Sequence, residues 1–174
     1  EIDGVDRKVL LQAPKNGFFY VIDRSDGKLL RAHPFATVTW ASHVDLETGR
    51  PVENPDLDYS EEAKWVLPGP LGAHNWQAKS GMVYLPAQDN PLIYSIADEY
   101  KKTGIYKRNP GRMNLGLEFG RITQLFLDNI ESQPTPKGYL KAFNPLTGEE
   151  SWSIEIPHYW NGGVIATEGG GVFQ

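Results

Sequence analysis

A chain of 174 residues with 40% hydrophobic and 22% charged content has the make-up of a folded globular protein and can bury a sizeable core. Its net charge of −5 offers no basis for nonspecific attraction to nucleic acid or an anionic membrane, and no apolar run approaches the length of a bilayer span. The lack of cysteine excludes a Cys-ligated metal, while 18 Gly, 13 Pro, 5 Trp and 8 Tyr suit many short strands joined by turns.

Val9, Leu10 and Leu11 lead into Gln12-Ala13-Pro14-Lys15-Asn16-Gly17, and Phe18 to Ile22 lead out. Asn16-Gly17 predicts a two-residue hairpin turn with positive φ at both central positions, and Lys15 stands at its mouth. A turn-and-strand unit then recurs: an apolar strand ends at Asp or Asn, a few residues reach Gly, and a new strand begins. The copies are Tyr20 to Lys28, Val44 to Arg50 and Leu140 to Trp152. The Asp or Asn side chain can bond the turn backbone and Gly supplies positive φ. Trp152 offers a large surface for packing between neighbouring sheets.

Residues 1–88 therefore predict blade strands, and residues 139–174 predict more of them. Val164 to Thr167, a turn at Glu168 to Gly171, and Val172-Phe173 fit the opening of a further blade. Between 89 and 138 the periodicity fails around Asn90-Pro91, Asn109-Pro110-Gly111 and Pro134-Thr135-Pro136, with a weak amphipathic run from Arg121 to Ile130. That stretch predicts a long insertion packed on the rim, and its basic portion, Lys101 to Arg112, reads as a solvated loop. Repeated four-stranded units at roughly 40 to 50 residues mark an all-β propeller. Glu1 to Asp6 is neither a signal peptide nor a start methionine, and the last residues stop in a strand pattern, so the chain is expected to be a fragment.

Arg7 to Arg24, Trp40-Ala41-Ser42-His43-Val44-Asp45, Gly72-Ala73-His74-Asn75-Trp76-Gln77 and Trp160 to Thr167 occur in an order that resembles the pyrroloquinoline quinone (PQQ) alcohol dehydrogenases. The resemblance implies an eight-bladed propeller of which this chain holds only middle to later blades. It implies PQQ beside a Ca²⁺ or lanthanide ion, possession of haem c in an attached domain in some members, a periplasmic location, a small alcohol substrate and cytochrome c as electron acceptor. Hydride would pass to PQQ as the alcohol becomes an aldehyde, with an Asp base expected upstream of Glu1. No catalytic residue and no metal ligand is therefore assigned within the chain, which alone should not turn over.

Three residues carry the cofactor expectation. Lys15 corresponds to the lysine that contacts the quinone oxygens, where a fixed cation stabilises developing negative charge. On local sequence alone it reads as a solvated loop lysine. Asn75 and Trp76 correspond to an Asn-Trp pair touching the cofactor, the amide by hydrogen bonding and the indole at the edge of the plane. By themselves they read as a turn residue and a packing aromatic. His74 is expected to order the loop. After Gln77 the resemblance weakens, because Ala78-Lys79-Ser80-Gly81 replaces a longer connection. The four histidines lack metal-ligand spacing, and Asp56 to Ser60 starts like a calcium loop but has Leu67 where the bidentate Glu belongs. Two rivals remain open: a non-catalytic propeller used for assembly or partner binding, and a PQQ-dependent sugar dehydrogenase.

Overall fold

The computed structural model describes residues 1–75, 84–111, 113–159 and 162–174. Strands β1 (Val9–Gln12), β2 (Phe18–Asp23) and β3 (Leu29–Pro34) form one antiparallel sheet in that order. β4 (Ala41–Val44) pairs with β5 (Pro51–Glu53), and β6 (Lys64–Val66) pairs with β8 (Leu92–Tyr94). β7 (Tyr84–Asp89), β9 (Lys137–Phe143) and β10 (Glu150–Ile156) make a second sheet in the order β10-β9-β7, and β11 (Ile165–Ala166) pairs with β12 (Val172–Phe173).

The repeated turn is geometrically the same in all three copies. The amide of Asp23 donates to Lys28 O at 2.9 Å, that of Asp45 to Arg50 O at 2.8 Å and that of Asn144 to Glu149 O at 2.9 Å. Each first residue also accepts through its side chain from an amide two residues on, with Ser25, Glu47 and Leu146 as donors at 2.8, 3.0 and 2.9 Å. An acidic or amide side chain thus replaces the strand ladder where the backbone must reverse. The β11–β12 hairpin closes through Thr167 and Gly171.

The turn at Asn16-Gly17 differs from its sequence signature. β1 and β2 pair only as far as Gln12↔Tyr20, and Gly17 has φ +93° while Asn16 does not enter the positive region. Instead of closing a two-residue hairpin, the Asn16 side chain accepts from the Phe18 amide at 3.1 Å and donates to the Tyr20 hydroxyl at 2.7 Å. A methyl at Gly17 would lie 2.6 Å from Val38 Cγ2 and 3.2 Å from Pro68 Cγ, so this glycine answers to a tertiary approach as well as to φ. The result is an open loop, residues 13–17, that projects beyond the ladder.

β2 lies between two apolar layers because alternate side chains point to opposite faces. Phe19 and Val21 join Ala13, Leu30, Ala73, Leu85, Ala87 and Phe143, which welds the first sheet to the β7–β9 sheet. Phe18 joins Ala41 and Val44 with Tyr20, Val38 and Trp40 packed around them. Trp152 stays within its own sheet: it stacks on Tyr84 at 5.8 Å, and both residues are registered against Ala142.

The stretch from 89 to 138 is only partly irregular. It contains β8, α1 (Asp98–Thr103) and α2 (Ile122–Asp128). α2 is held by Trp65, whose ring meets Phe126 edge-on at 5.7 Å and whose Nε1 donates to Asn129 O at 3.2 Å. The basic portion of the stretch begins in α1 rather than in a loop, and exposed ion pairs join Lys101 to Glu61 and Lys107 to Glu99.

Candidate functional site

The open loop at 13–17 is fastened from several sides through its own carbonyls. Trp40 Nε1 donates to Asn16 O at 3.1 Å, the Phe35 amide to Gly17 O at 3.0 Å and the Ala73 amide to Lys15 O at 2.9 Å. His74 is 3% exposed and its Nδ1 lies 3.0 Å from Ala13 O, so Nδ1 carries the proton there. The expectation that His74 orders the loop is met by this bond. Gly72 sits so close that a methyl on it would lie 2.5 Å from Lys15 Cγ and 2.8 Å from Lys15 Cα.

These contacts bring the segments bearing Lys15 and Asn75 together across 60 residues of sequence. Lys15 is exposed, and its ammonium donates to Pro70 O at 3.1 Å. It forms no ion pair among the described residues, so the other two N–H directions are available to an anionic or carbonyl oxygen. Asn75 is half-buried directly after His74. Trp76 lies outside the described residues, as do Trp160 and Asn161.

Sequence reasoning missed Gln88, the strut beneath the second segment. Gln88 is 2% exposed; its amide donates to Ala73 O at 2.8 Å and its Nε2 to Gly72 O at 2.7 Å. An apolar strand with one amide side chain was the available signal, because a buried glutamine must find a polar partner.

Beside Lys15 an open cleft of about 950 Å³ lies between the 13–17 loop and residues 53–70, lined also by Tyr94 and Ile96. Lys15 and its acceptor Pro70 both belong to its wall.

No protein-family model matches the chain. It is 42% identical over 179 residues to quinohemoprotein alcohol dehydrogenase ADH IIB of Pseudomonas putida, a match covering 99% of this chain and 24% of that protein. The chain belongs to the quinoprotein alcohol dehydrogenase family. A second relative of this quinoprotein chain, 1-butanol dehydrogenase (cytochrome c) of Thauera butanivorans, is 38% identical over 100% of the chain and 25% of its own length. The crystal structure of quinohemoprotein alcohol dehydrogenase from Comamonas testosteroni superposes with a TM-score of 0.79 and 35% identity, covering 100% of this chain and 26% of that one. The fold is thus part of an all-β propeller, and the quinoprotein chain spans about a quarter of the length of the curated relatives it matches.

Proposed function

We propose that the protein containing this chain oxidises alcohols to aldehydes by hydride transfer to PQQ and passes the electrons to a cytochrome c, in the periplasm. The observation that carries the reading is the lacing of the 13–17 loop to residues 72–74, which sets an ammonium that forms no ion pair among the described residues beside an asparagine-bearing segment. The names of the two relatives supply the reaction class and the cytochrome.

The residues present fit a planar quinone bearing several oxygens. Lys15 has two N–H directions left after Pro70, and the approach of Gly72, with no Cβ, lets the two loops share one surface. Bound PQQ, beside Ca²⁺ or a lanthanide, supplies the hydride acceptor. Lys15 would hold the group's oxygens with positive charge, and the Pro70 carbonyl, accepting from its ammonium at 3.1 Å, limits the positions that ammonium can take. Asn75, half-buried beside His74, would add an amide to the residues holding the group, as the family motif implies; Trp76 lies outside the described residues. The Gln88 and His74 bonds keep the two segments in register, so the donors are arranged before any ligand arrives. The smaller claims, a haem c domain and the choice of cation, follow the same resemblance.

The test uses the full-length protein, titrated with PQQ and Ca²⁺ while dye reduction by primary alcohols is followed. Lys15→Ala is expected to lower turnover about 100-fold or more, the scale of losing one preorganised charge partner. Its urea midpoint should stay close to that of the parent, because the side chain is exposed. Equal loss of turnover and stability would return Lys15 to a structural role, and absence of alcohol-dependent reduction in the parent would sink the enzyme reading.

A further inference from the structure

We propose that Asp89 is a positioning residue for Lys15: by gripping Thr37 it closes a circuit of hydrogen bonds around the 13–17 loop and fixes where the ammonium stands. The inference rests on the reading of Lys15 given above and names a residue that acts only through others.

The end of β7 divides its side chains between two neighbours, because successive residues of a strand point to opposite faces. Gln88 turns to one of them, donating through Nε2 to Gly72 O at 2.7 Å. Asp89 turns to the other and accepts twice from Thr37, 52 residues earlier in the chain. Its Oδ1 accepts from the Thr37 amide at 2.9 Å and its Oδ2 from the Thr37 hydroxyl at 2.6 Å. A cation stands across the ladder, yet the carboxylate is not bonded to it: Lys137 is registered against Asp89 and pairs with Glu155 at 3.1 Å. Asp89 forms no ion pair among the described residues. Both of its oxygens serve one threonine, and two charge-assisted bonds to a single residue fix direction as well as distance.

Thr37 lies in the segment that holds one side of the Lys15 loop. Phe35 N donates to Gly17 O at 3.0 Å and Trp40 Nε1 to Asn16 O at 3.1 Å. Between them Val38 stands so near that a methyl on Gly17 would lie 2.6 Å from its Cγ2. The other side of the loop is held by residues 69–73, which β7 also reaches. Asn90 O accepts from the Gly69 amide at 2.7 Å, next to Pro70, whose carbonyl takes the Lys15 ammonium, and the Gln88 amide donates to Ala73 O at 2.8 Å. The bonds therefore run from the 13–17 loop to Ala73, on to residues 88–90, across Asp89 to Thr37, and back to the loop through Phe35 and Trp40. Asp89 is the link that joins the two arms, and a closed network holds its members more firmly than separate pairs do. Every one of these bonds lies within the chain, so none depends on what covers its surface.

The test uses the full-length protein with substitutions on both sides of the link. Asp89→Ala removes both acceptors. Asp89→Asn keeps the shape: its Oδ1 still accepts from the Thr37 amide, and the threonine hydroxyl can turn to accept from Nδ2. Thr37→Val deletes the hydroxyl bond alone at nearly constant volume. Hydrogen exchange of the apoprotein, read residue by residue by mass spectrometry, needs neither cofactor nor turnover. A role confined to Thr37 would speed exchange of the Thr37 amide only. A positioning role also speeds exchange of the Ala73 amide, which donates to Lys15 O across the circuit. That rate should rise about tenfold or more in Asp89→Ala, about threefold in Thr37→Val, and stay within about twofold of the parent in Asp89→Asn. The Kd for PQQ should rise in the same order, by about tenfold or more in Asp89→Ala, since a displaced loop misplaces its charge. Asp45→Ala is the control: it loses the amide bonds of Glu47 and Thr48 in the β4–β5 turn, has no bond to the 13–17 loop, and should leave both readouts within about twofold.

Unchanged Ala73 exchange and PQQ affinity in Asp89→Ala and Thr37→Val, or changes as large in Asp45→Ala as in Asp89→Ala, would overturn the proposal. Faster Ala73 exchange and weaker PQQ binding in Asp89→Ala, restored in Asp89→Asn, would support it. The same pattern in a parent that binds PQQ but oxidises no alcohol would keep Asp89 as a positioning residue and sink the activity reading alone.

Discussion

Gly72→Ala tests the central contact of the site. Gly72 has φ +83°, so an alanine there incurs left-handed backbone strain of about 1–2 kcal/mol. Its methyl would also stand 2.8 Å from Lys15 Cα, where ordinary contact begins at 3.4 Å, and a backbone atom cannot swing aside as a side-chain tip can. Relief requires the two loops to part by about 0.6 Å, which would stretch the 2.9 Å bond from Ala73 N to Lys15 O to the edge of hydrogen bonding. Ala73 is fully buried, so a lost partner costs about 1–3 kcal/mol, and the whole change should destabilise by about 2–5 kcal/mol. Gly27→Ala is the control: its φ is +78° but a methyl there meets nothing within 4 Å, so it should cost only the strain of about 1–2 kcal/mol. Urea unfolding of both full-length variants by tryptophan fluorescence, with PQQ titration of each, separates the two terms. Equal destabilisation and equal PQQ affinity in Gly72→Ala and Gly27→Ala would refute the claim that loop contact at Lys15 organises the site.

Gln88→Leu keeps volume but leaves Gly72 O without its 2.7 Å donor, so unfolding should move by about 1–3 kcal/mol and PQQ affinity should fall with it. An unchanged urea midpoint would show that Gln88 is not the strut. The pH dependence of stability has a named source in Asp23, where hydrogen bonds from Ser25 and then the Arg7 guanidinium at 2.7 Å hold the carboxyl at about 2, below its ordinary 3.8. A depressed folded value means the stabilisation is present above pH 3.8 and is lost as the pH falls toward about 2. Thermal melting across that window should drop less steeply in Asp23→Asn than in the parent; parallel curves would assign the acid transition to other carboxylates.

The parts of this protein legible in sequence are those governed by local physics. Asp23, Asp45 and Asn144 each cap a turn that ends in glycine, and three such turns announced chained antiparallel hairpins before any packing was known. Lys15, Asn75 and Trp76 were recognisable by family motif, and the structure brings the first two segments together while the third lies outside the described residues. Gln88 and the grip of Asp89 on Thr37 were not legible, because their partners lie far along the chain and no local pattern encodes a distance across a fold.

Asn16-Gly17 shows where the boundary falls. By itself the pair specified that the chain must turn, since Gly17 tolerates a φ that other residues resist. The kind of turn was decided by contacts from elsewhere. Trp40, Phe35, Ala73 and His74 draw down the carbonyls of the 13–17 loop, and the Phe18 amide engages the Asn16 side chain. The bonds from Trp40, Ala73 and His74 exist only once distant segments have packed, whereas the Phe35 bond extends the β2–β3 ladder and the Phe18 bond is local. Sequence therefore determined the strands, the reversals and the presence of a lysine at the loop; tertiary packing decided that the loop stands open, what holds it, and what the lysine faces.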